Sequence, residues 1–243
     1  MTDPHPAERR LLVIAHDHVS PAGEVERRFA ERGFAVDHLL VVPEEHYFDP
    51  GVTCEFPDPE GYDALVVMGA PWSVYSPLVA SWVGPELDLL RRADAADVPV
   101  LGICFGGQLL AKAHGGSVER SPQFEIGWQV VHSEDPDLVS PGPWFHWHFD
   151  RWQLPPGAEE LARNAVCSQA FVLRRNLAVQ FHPELDAAML KGWLDTGGTS
   201  QATGLGLDCA AMLAQTVAWE ADSAARARSL VDAFLDRVAY PTP

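Results

Sequence analysis

Apolar residues in this chain gather in short runs separated by longer stretches of mixed polarity, a rhythm that predicts strands alternating with helices. Leu11–Ala15, Ala35–Val42, Tyr62–Met68 and Val98–Ile103 read as strands, with an irregular Pro-rich stretch from the second of them through Pro59. Pro21–Arg32, stopped by Gly33, and Pro77–Ala95, with a break near Gly84-Pro85, read as the intervening helices. Phe105–His114 is a third helix, ended by Gly115-Gly116. From Trp128 to Phe181 several short strands with turn signals predict an antiparallel extension. Leu185–Leu194 predicts a helix, Gly197–Gly206 a flexible loop, and the Ala-rich remainder two helices around Asp222-Ser223. The alternation implies an α/β fold with an open, doubly wound, mostly parallel sheet. The 243 residues are enough for one sizeable core, and even signals along the chain predict a single domain over 1–243, with the helices from about residue 185 packed on it.

One junction in this pattern carries chemistry. The strand ending at Ile103 stops at Cys104, and a helix restarts at once in Phe105-Gly106-Gly107-Gln108. A side chain at so sharp a strand-to-helix turn is pushed clear of the backbone, and its neighbours must be small, which accounts for Gly102, Gly106 and Gly107. The helix also points its positive end at the sulfur and favours the thiolate. An isolated cysteine in a Gly-rich turn is most simply a small buried residue. Here the flanking glycines favour a nucleophile.

A cysteine nucleophile needs a base nearby in space and a third group that orients the base. Phe181-His182-Pro183-Glu184 offers both. Leu177–Phe181 reads as a strand, which puts His182 at its C-terminal end, where open α/β sheets place their sites. Glu184, two residues on, lies within reach of the imidazole. His-Pro-Glu alone often just terminates a strand. Its weight comes from the cysteine elbow upstream.

With these residues the chain resembles the class I (triad-type) glutamine amidotransferases, in particular free-standing members similar to the amidotransferase domain of GMP synthase. The likeness runs from Leu11-Leu12-Val13-Ile14 through Val66-Val67-Met68-Gly69-Ala70-Pro71 and the elbow to Gln180-Phe181-His182-Pro183-Glu184. It implies a flavodoxin-like sheet, Cys104 as nucleophile, His182 as general base and acid, and Glu184 as the orienting carboxylate. It also implies an oxyanion hole from the Gly69 and Phe105 amides, although the family's Gly-Gly-Pro is here Gly69-Ala70-Pro71. Gln108 matches a glutamine that seats the amino-acid end of the substrate, and Glu125-Ile126-Gly127-Trp128 matches a segment bordering the pocket. Trp147-His148-Phe149-Asp150 stands in place of the family's Ser-His-Gly-Asp. Large rings at Trp147 and Phe149, with Trp144 and Trp152 nearby, either line the pocket mouth or cap a core. Glu125, Gly127, Trp128, Trp147 and His148 are therefore candidate substrate-binding residues.

Composition narrows the alternatives. A formal charge of -17 without a basic cluster opposes nucleic acid and anionic membranes. No apolar run has the length of a membrane span, and Met1–Pro6 lacks the form of a signal peptide, so a cytoplasmic location is expected. Cys54, Cys104, Cys167 and Cys209 are widely spaced, as reduced thiols rather than a disulfide framework or zinc knuckle. His16 and His18, with His146 and His148, invite a metal reading. No acidic or cysteine partner sits at ligand spacing in the same segments, so no metal is expected.

The expected chemistry is hydrolysis of a γ-glutamyl amide through a Cys104 thioester, with glutamine or another γ-glutamyl small molecule as substrate and no cofactor. The released ammonia could serve a separate synthetase subunit. A γ-glutamyl peptidase or hydrolase acting on a larger compound would use the same residues. A catalytically silent regulatory or binding subunit is a third reading, against which the intact Cys104, His182 and Glu184 speak. The intracellular-protease group of cysteine elbows carries its histidine directly after the cysteine, where Phe105 stands here.

Overall fold

In the computed structural model, which describes residues 9–241, Leu11 to Ile14 are buried because their strand is flanked on both sides by others. Met1–Pro6, read above as unlike a signal peptide, lies outside the described residues. In chain order the elements are β1 (Arg9–Ala15), α1 (Gly23–Glu31), β2 (Phe34–Leu40), β3 (Ala64–Val67), α2 (Ala80–Ala95), β4 (Val100–Ile103) and α3 (Phe105–Ala113). There follow β5 (Ser117–Ser133), β6 (Gly142–Gln153), β7 (Glu159–Arg163), β8 (Ser168–Leu173) and β9 (Asn176–Val179). The chain closes with α4 (Ala187–Trp193), α5 (Thr199–Gly204) and α6 (Cys209–Ala233).

All nine strands form one sheet in the order β2-β1-β3-β4-β9-β8-β7-β5-β6. The five from β2 to β9 are parallel, and the remaining pairings are antiparallel. This is the doubly wound sheet with an antiparallel extension that the alternating pattern predicts. One face is covered by α1 and α6 through Val25, Phe29, Leu230 and Val231. The other is covered by α2 and α3 through Trp82, Leu89, Leu90, Leu109 and Leu110. A third cluster joins Ile126 and Phe145 of the extension to Met189, Leu190 and Met212 of the C-terminal helices. Arg28 grips Asp232 with two hydrogen bonds of 2.9 and 2.7 Å, and Arg32 adds one of 2.6 Å, which ties α1 to α6. No helix among the described residues is long and apolar enough to cross a membrane.

Three expectations need correction. The helix over Ala80–Ala95 runs through Pro85 without a break, preceded by a 3₁₀ turn at Pro77–Val79. A proline removes one helical hydrogen bond, and the burial of Trp82, Leu89 and Leu90 on the same helix outweighs it. Gly197–Gly206 is largely helical rather than a flexible loop: Gly197, with φ of 107°, kinks the chain after α4, and α5 begins two residues later. The Ala-rich C-terminus is one 25-residue helix rather than two. Ser223 is buried within it, no Gly or Pro interrupts it, and Asp208 caps it by accepting from the amides of Ala210 and Ala211.

Candidate active site

The nucleophile candidate owes its position to backbone crowding. Cys104 has φ of 50° and ψ of -104°, a region that ordinary side chains avoid and that persists only where the surroundings hold it. Its amide donates to Val179 O at 2.7 Å, and the Gly106 amide donates to Met68 O at 3.1 Å. A β-carbon at Gly106 would lie 2.1 Å from Val67 O, so only glycine lets the first turn of α3 rest against the end of β3. Strand β4 thus ends beside β9 on one side and β3 on the other, at the C-terminal rim of the parallel strands.

His182 follows β9 by three residues, and its amide is fixed by Phe145 O at 2.8 Å. Its Nδ1 lies 2.8 Å from Glu184 Oε1, with both side chains almost fully buried. The carboxylate only accepts, so Nδ1 carries the proton and Nε2 is the nitrogen left for Cys104. Nε2 is buried without a hydrogen-bond partner among the described residues. Burial opposes a charge on this imidazole, but Glu184 and, after it, Cys104 outweigh burial and push His182 up to about 10. Gly69 closes the cluster. A β-carbon there would meet His182 Cε1 at 3.0 Å and lie 3.7 Å from Cys104 Cβ. The indole of Trp193 meets His182 edge-on with centroids 4.9 Å apart, and it donates to Ser20 Oγ at 3.1 Å.

A cavity of about 420 Å³ opens over these groups. Cys104, Phe105, His182 and Gly69 line it, as do Gln108, Trp147, His148 and Phe149 among the sequence candidates. Gln108 donates to Asp150 O at 3.2 Å and Gln180 Oε1 at 3.3 Å, while Gln180 Nε2 lies 3.6 Å from Cys104 Sγ. The helical segment after Gly197 supplies the opposite wall, where Gln201 accepts from Trp147 Nε1 at 2.7 Å. Of the other candidates, Glu125 lies behind His148, Gly127 is nearest Met212, and Trp128 donates to Thr216 Oγ1 at 3.0 Å under α6. None of the three lines the cavity. Trp144 and Trp152 are buried in the cores on opposite faces of the sheet, Trp144 stacked on Phe181 at 4.4 Å. Trp144 and Trp152 thus sit in the cores, whereas Trp147 and Phe149 border the cavity.

Sequence reading missed two arrangements. Asp150 is a buried carboxylate on the cavity, held by Ser73 Oγ and by Tyr75 Oη at 2.8 Å. Side chains from separate strands also converge behind the site: ligand atoms of Glu125, His148 and Cys167 lie within 4.8 Å of one another. That donor set suits a thiophilic divalent ion, and linear spacing could not reveal it because it comes from three strand regions. Glu125 is engaged there by Asn164, by Gln169 Nε2 at 2.8 Å and by His148 Nε2 at 3.1 Å. Burial raises the Glu125 carboxyl, but the His148 hydrogen bond and the nearby imidazoles bring it down to about 2. Burial, with Glu125 adding to it, pushes the Cys167 thiol well up. His146 sits beside this group with both ring nitrogens unpartnered among the described residues, and burial followed by His148 lowers it to about 3.

A strained cysteine at a strand-to-helix elbow and a carboxylate-held histidine together form one candidate centre on the cavity. Comparison with known proteins is specific on its class. Residues 24–190 match the family described as glutamine amidotransferase class-I, and the chain belongs to that family. A GMP synthase (glutamine-hydrolyzing) of Aromatoleum aromaticum is 33% identical over 199 residues, spanning 74% of this chain and 34% of that protein. The corresponding protein of Macrococcus caseolyticus is 38% identical over 130 residues, 50% of this chain and 24% of its own. The chain thus spans about a quarter to a third of the curated relatives it matches. Among solved structures, a glutamine amidotransferase from Thermotoga maritima superposes with a TM-score of 0.81 at 26% identity, covering 94% of this chain and 99% of that one. One from Methylobacillus flagellatus gives 0.77 at 26% identity, covering 94% of each.

Proposed function

We propose that this protein hydrolyses a γ-glutamyl amide through a thioester on Cys104. The observation that carries the proposal is the buried His182–Glu184 pair, which leaves Nε2 as the free nitrogen beside a cysteine in an elbow conformation. The thiolate attacks the γ-carbonyl, and the oxyanion is received by the Phe105 amide together with an amide of the Gly69 turn. Imidazolium at His182 donates its Nε2 proton to the departing nitrogen as the carbon–nitrogen bond breaks, releasing ammonia or an amine. His182 then takes a proton from water, the hydroxide adds to the thioester, and glutamate leaves as the thiol is restored. Glu184 holds the Nδ1 tautomer throughout.

Asp150 on the cavity offers a carboxylate for an α-ammonium group, and Arg120, exposed at the rim 3.9 Å from Asp150, offers a cation for an α-carboxylate. Free glutamine and larger γ-glutamyl compounds share both groups. The aromatic wall of Trp147 and Phe149 favours a larger γ-glutamyl amide, because a remote apolar leaving group gives contacts that glutamine lacks. The GMP synthases that the chain resembles are named for hydrolysing glutamine, which favours ammonia delivery to a separate synthetase in the cytoplasm. A glutamate-release assay on the purified chain, with glutamine and a panel of γ-glutamyl peptides and amines, tests the reading. Release that is lost in Cys104→Ser supports it, and absence of release from every compound overturns it.

A further inference from the structure

A third buried histidine–carboxylate pair lies under the site and has no place in the steps above. His16 follows β1, and both its side chain and that of Glu86 on α2 are fully buried. His16 Nε2 lies 3.0 and 3.1 Å from the two Glu86 oxygens, and Nδ1 lies 3.1 Å from Gly69 O. A carbonyl only accepts, so Nδ1 carries a proton and donates to Gly69. The ring is wedged between Trp82, stacked at 5.4 Å, and Phe105, edge-on at 4.8 Å. One imidazole thus touches both Gly69 and Phe105.

The hydrogen bonds around Gly69 fix two successive peptide planes. Met68 O accepts from the Gly106 amide, so the Gly69 N–H on that trans peptide points away from the start of α3. Gly69 O points down to His16, so the Ala70 N–H on the next peptide points the opposite way. Ala70 lines the cavity and His16 does not. Pro71 restricts Ala70 to extended conformations, which leaves the plane little freedom once its carbonyl is held.

We propose that His16 and Glu86 are a positioning pair that clamps the Gly69–Ala70 peptide, so that the Ala70 N–H, rather than that of Gly69, joins the Phe105 N–H in receiving the oxyanion. Glu86 orients His16, and His16 orients the peptide. Neither side chain touches substrate. The inference rests on the hydrolysis reading above and gives it a residue pair that a thiol-only chemistry would not need.

The test separates carbonyl activation from thiol reactivity. Removing His16 alone would strand a buried carboxylate, so the principal variant is the apolar double exchange His16→Phe with Glu86→Leu, with Glu86→Gln as the conservative partner. Each is compared with wild type for thermal midpoint, for Cys104 alkylation by iodoacetamide, and for kcat and KM on the best γ-glutamyl substrate. A fourth measurement is inactivation by 6-diazo-5-oxo-norleucine, a glutamine-shaped ketone whose carbonyl occupies the place of the scissile one. The double variant is expected to lose about 10²-fold in kcat, the effect of one misplaced oxyanion donor. KM and iodoacetamide alkylation stay within a few-fold of wild type, inactivation by the diazoketone slows, and Glu86→Gln falls between. Unchanged kcat, or alkylation that falls in parallel with kcat, overturns the proposal. If the wild type releases no glutamate, the hydrolysis reading fails, and the ratio of diazoketone to iodoacetamide rates still decides the role of the pair.

Discussion

Trp193 stands edge-on to His182 with ring centroids 4.9 Å apart, so the first helix after the histidine folds back and buttresses it. The Trp193 indole N–H is anchored on Val19 O and Ser20 Oγ at 3.2 and 3.1 Å. The ring that faces Cys104 is thereby held from behind by Trp193 and along its edge by Glu184. In the mechanism proposed above, a histidine held this way keeps one orientation through attack and leaving-group departure, and the outcomes below depend on it.

Cys104 is expected to be the first thiol to react with iodoacetamide. Burial raises Cys54, and burial with the adjacent Glu125 raises Cys167, which disfavours the thiolate at both. Mass mapping after brief treatment should find the label on Cys104, and Cys104→Ala should remove glutamate release while retaining the thermal midpoint. Label on Cys167 ahead of Cys104 would contradict the assignment.

Glu184→Gln preserves shape but permits the wrong tautomer. We expect kcat to fall by about 10²–10⁴-fold, with His182→Ala worse. The same pair sets a pH dependence. The folded protein retains the His182 proton up to about 10, whereas an unperturbed histidine releases it near 6.5. The stability this contributes is complete below about 6.5 and is lost as pH rises toward 10. Thermal midpoints measured from pH 6 to pH 10 should therefore decline more steeply for wild type than for Glu184→Gln, and parallel curves would contradict the ion pair.

His146 predicts the opposite sign at the acid end. Its folded value of about 3 lies below the ordinary 6.5, so the unfolded chain binds the extra proton and stability is lost as pH falls through that interval. Replacing it with Leu removes the titration and the two orphaned nitrogens. The fall in thermal midpoint between pH 7 and pH 5 should shrink in His146→Leu, and an unchanged fall would place the acid sensitivity elsewhere.

Trp147→Ala should discriminate between substrates. The indole lines the cavity and is braced by Gln201, while the groups around the thiol are set by other contacts. Loss of the wall should reduce kcat/KM for an aryl or peptidyl γ-glutamyl amide by about 10-fold, the scale of one lost apolar contact, and leave free glutamine nearly unaffected. Equal losses on both would remove the case for a leaving-group wall.

Residues that act through local backbone were legible in the sequence. Gly102, Gly106 and Gly107 mark the elbow because each is a neighbour forced to be small, and the two-residue step from His182 to Glu184 is visible without a fold. Side chains that meet across the sheet were not. Glu86 reaches His16 from α2, and Cys167 reaches Glu125 and His148 from the turn between β7 and β8, with no spacing to announce either. Trp144 and Trp152 look like Trp147 in the sequence. Only the fold separates them, since Trp144 and Trp152 turn into the two cores while Trp147 borders the cavity. The segment after Gly197 carries too many small polar residues to read as helix, and its order comes from packing on Trp147, whose ring would lie 3.0 Å from a β-carbon at Gly198.

The placement of β9 between β4 and β8 has a consequence for how the molecule comes into being. Cys104 leaves the ribosome well before β9 and His182, and everything in β5–β8 must be made in between. Until β9 inserts beside β4, the Cys104 amide lacks its Val179 partner, and the thiol has neither its elbow conformation nor its base. Pairings so distant in sequence form late. The nascent chain therefore carries Cys104 apart from its elbow contacts and from His182, and the centre proposed above is assembled only with the completed sheet.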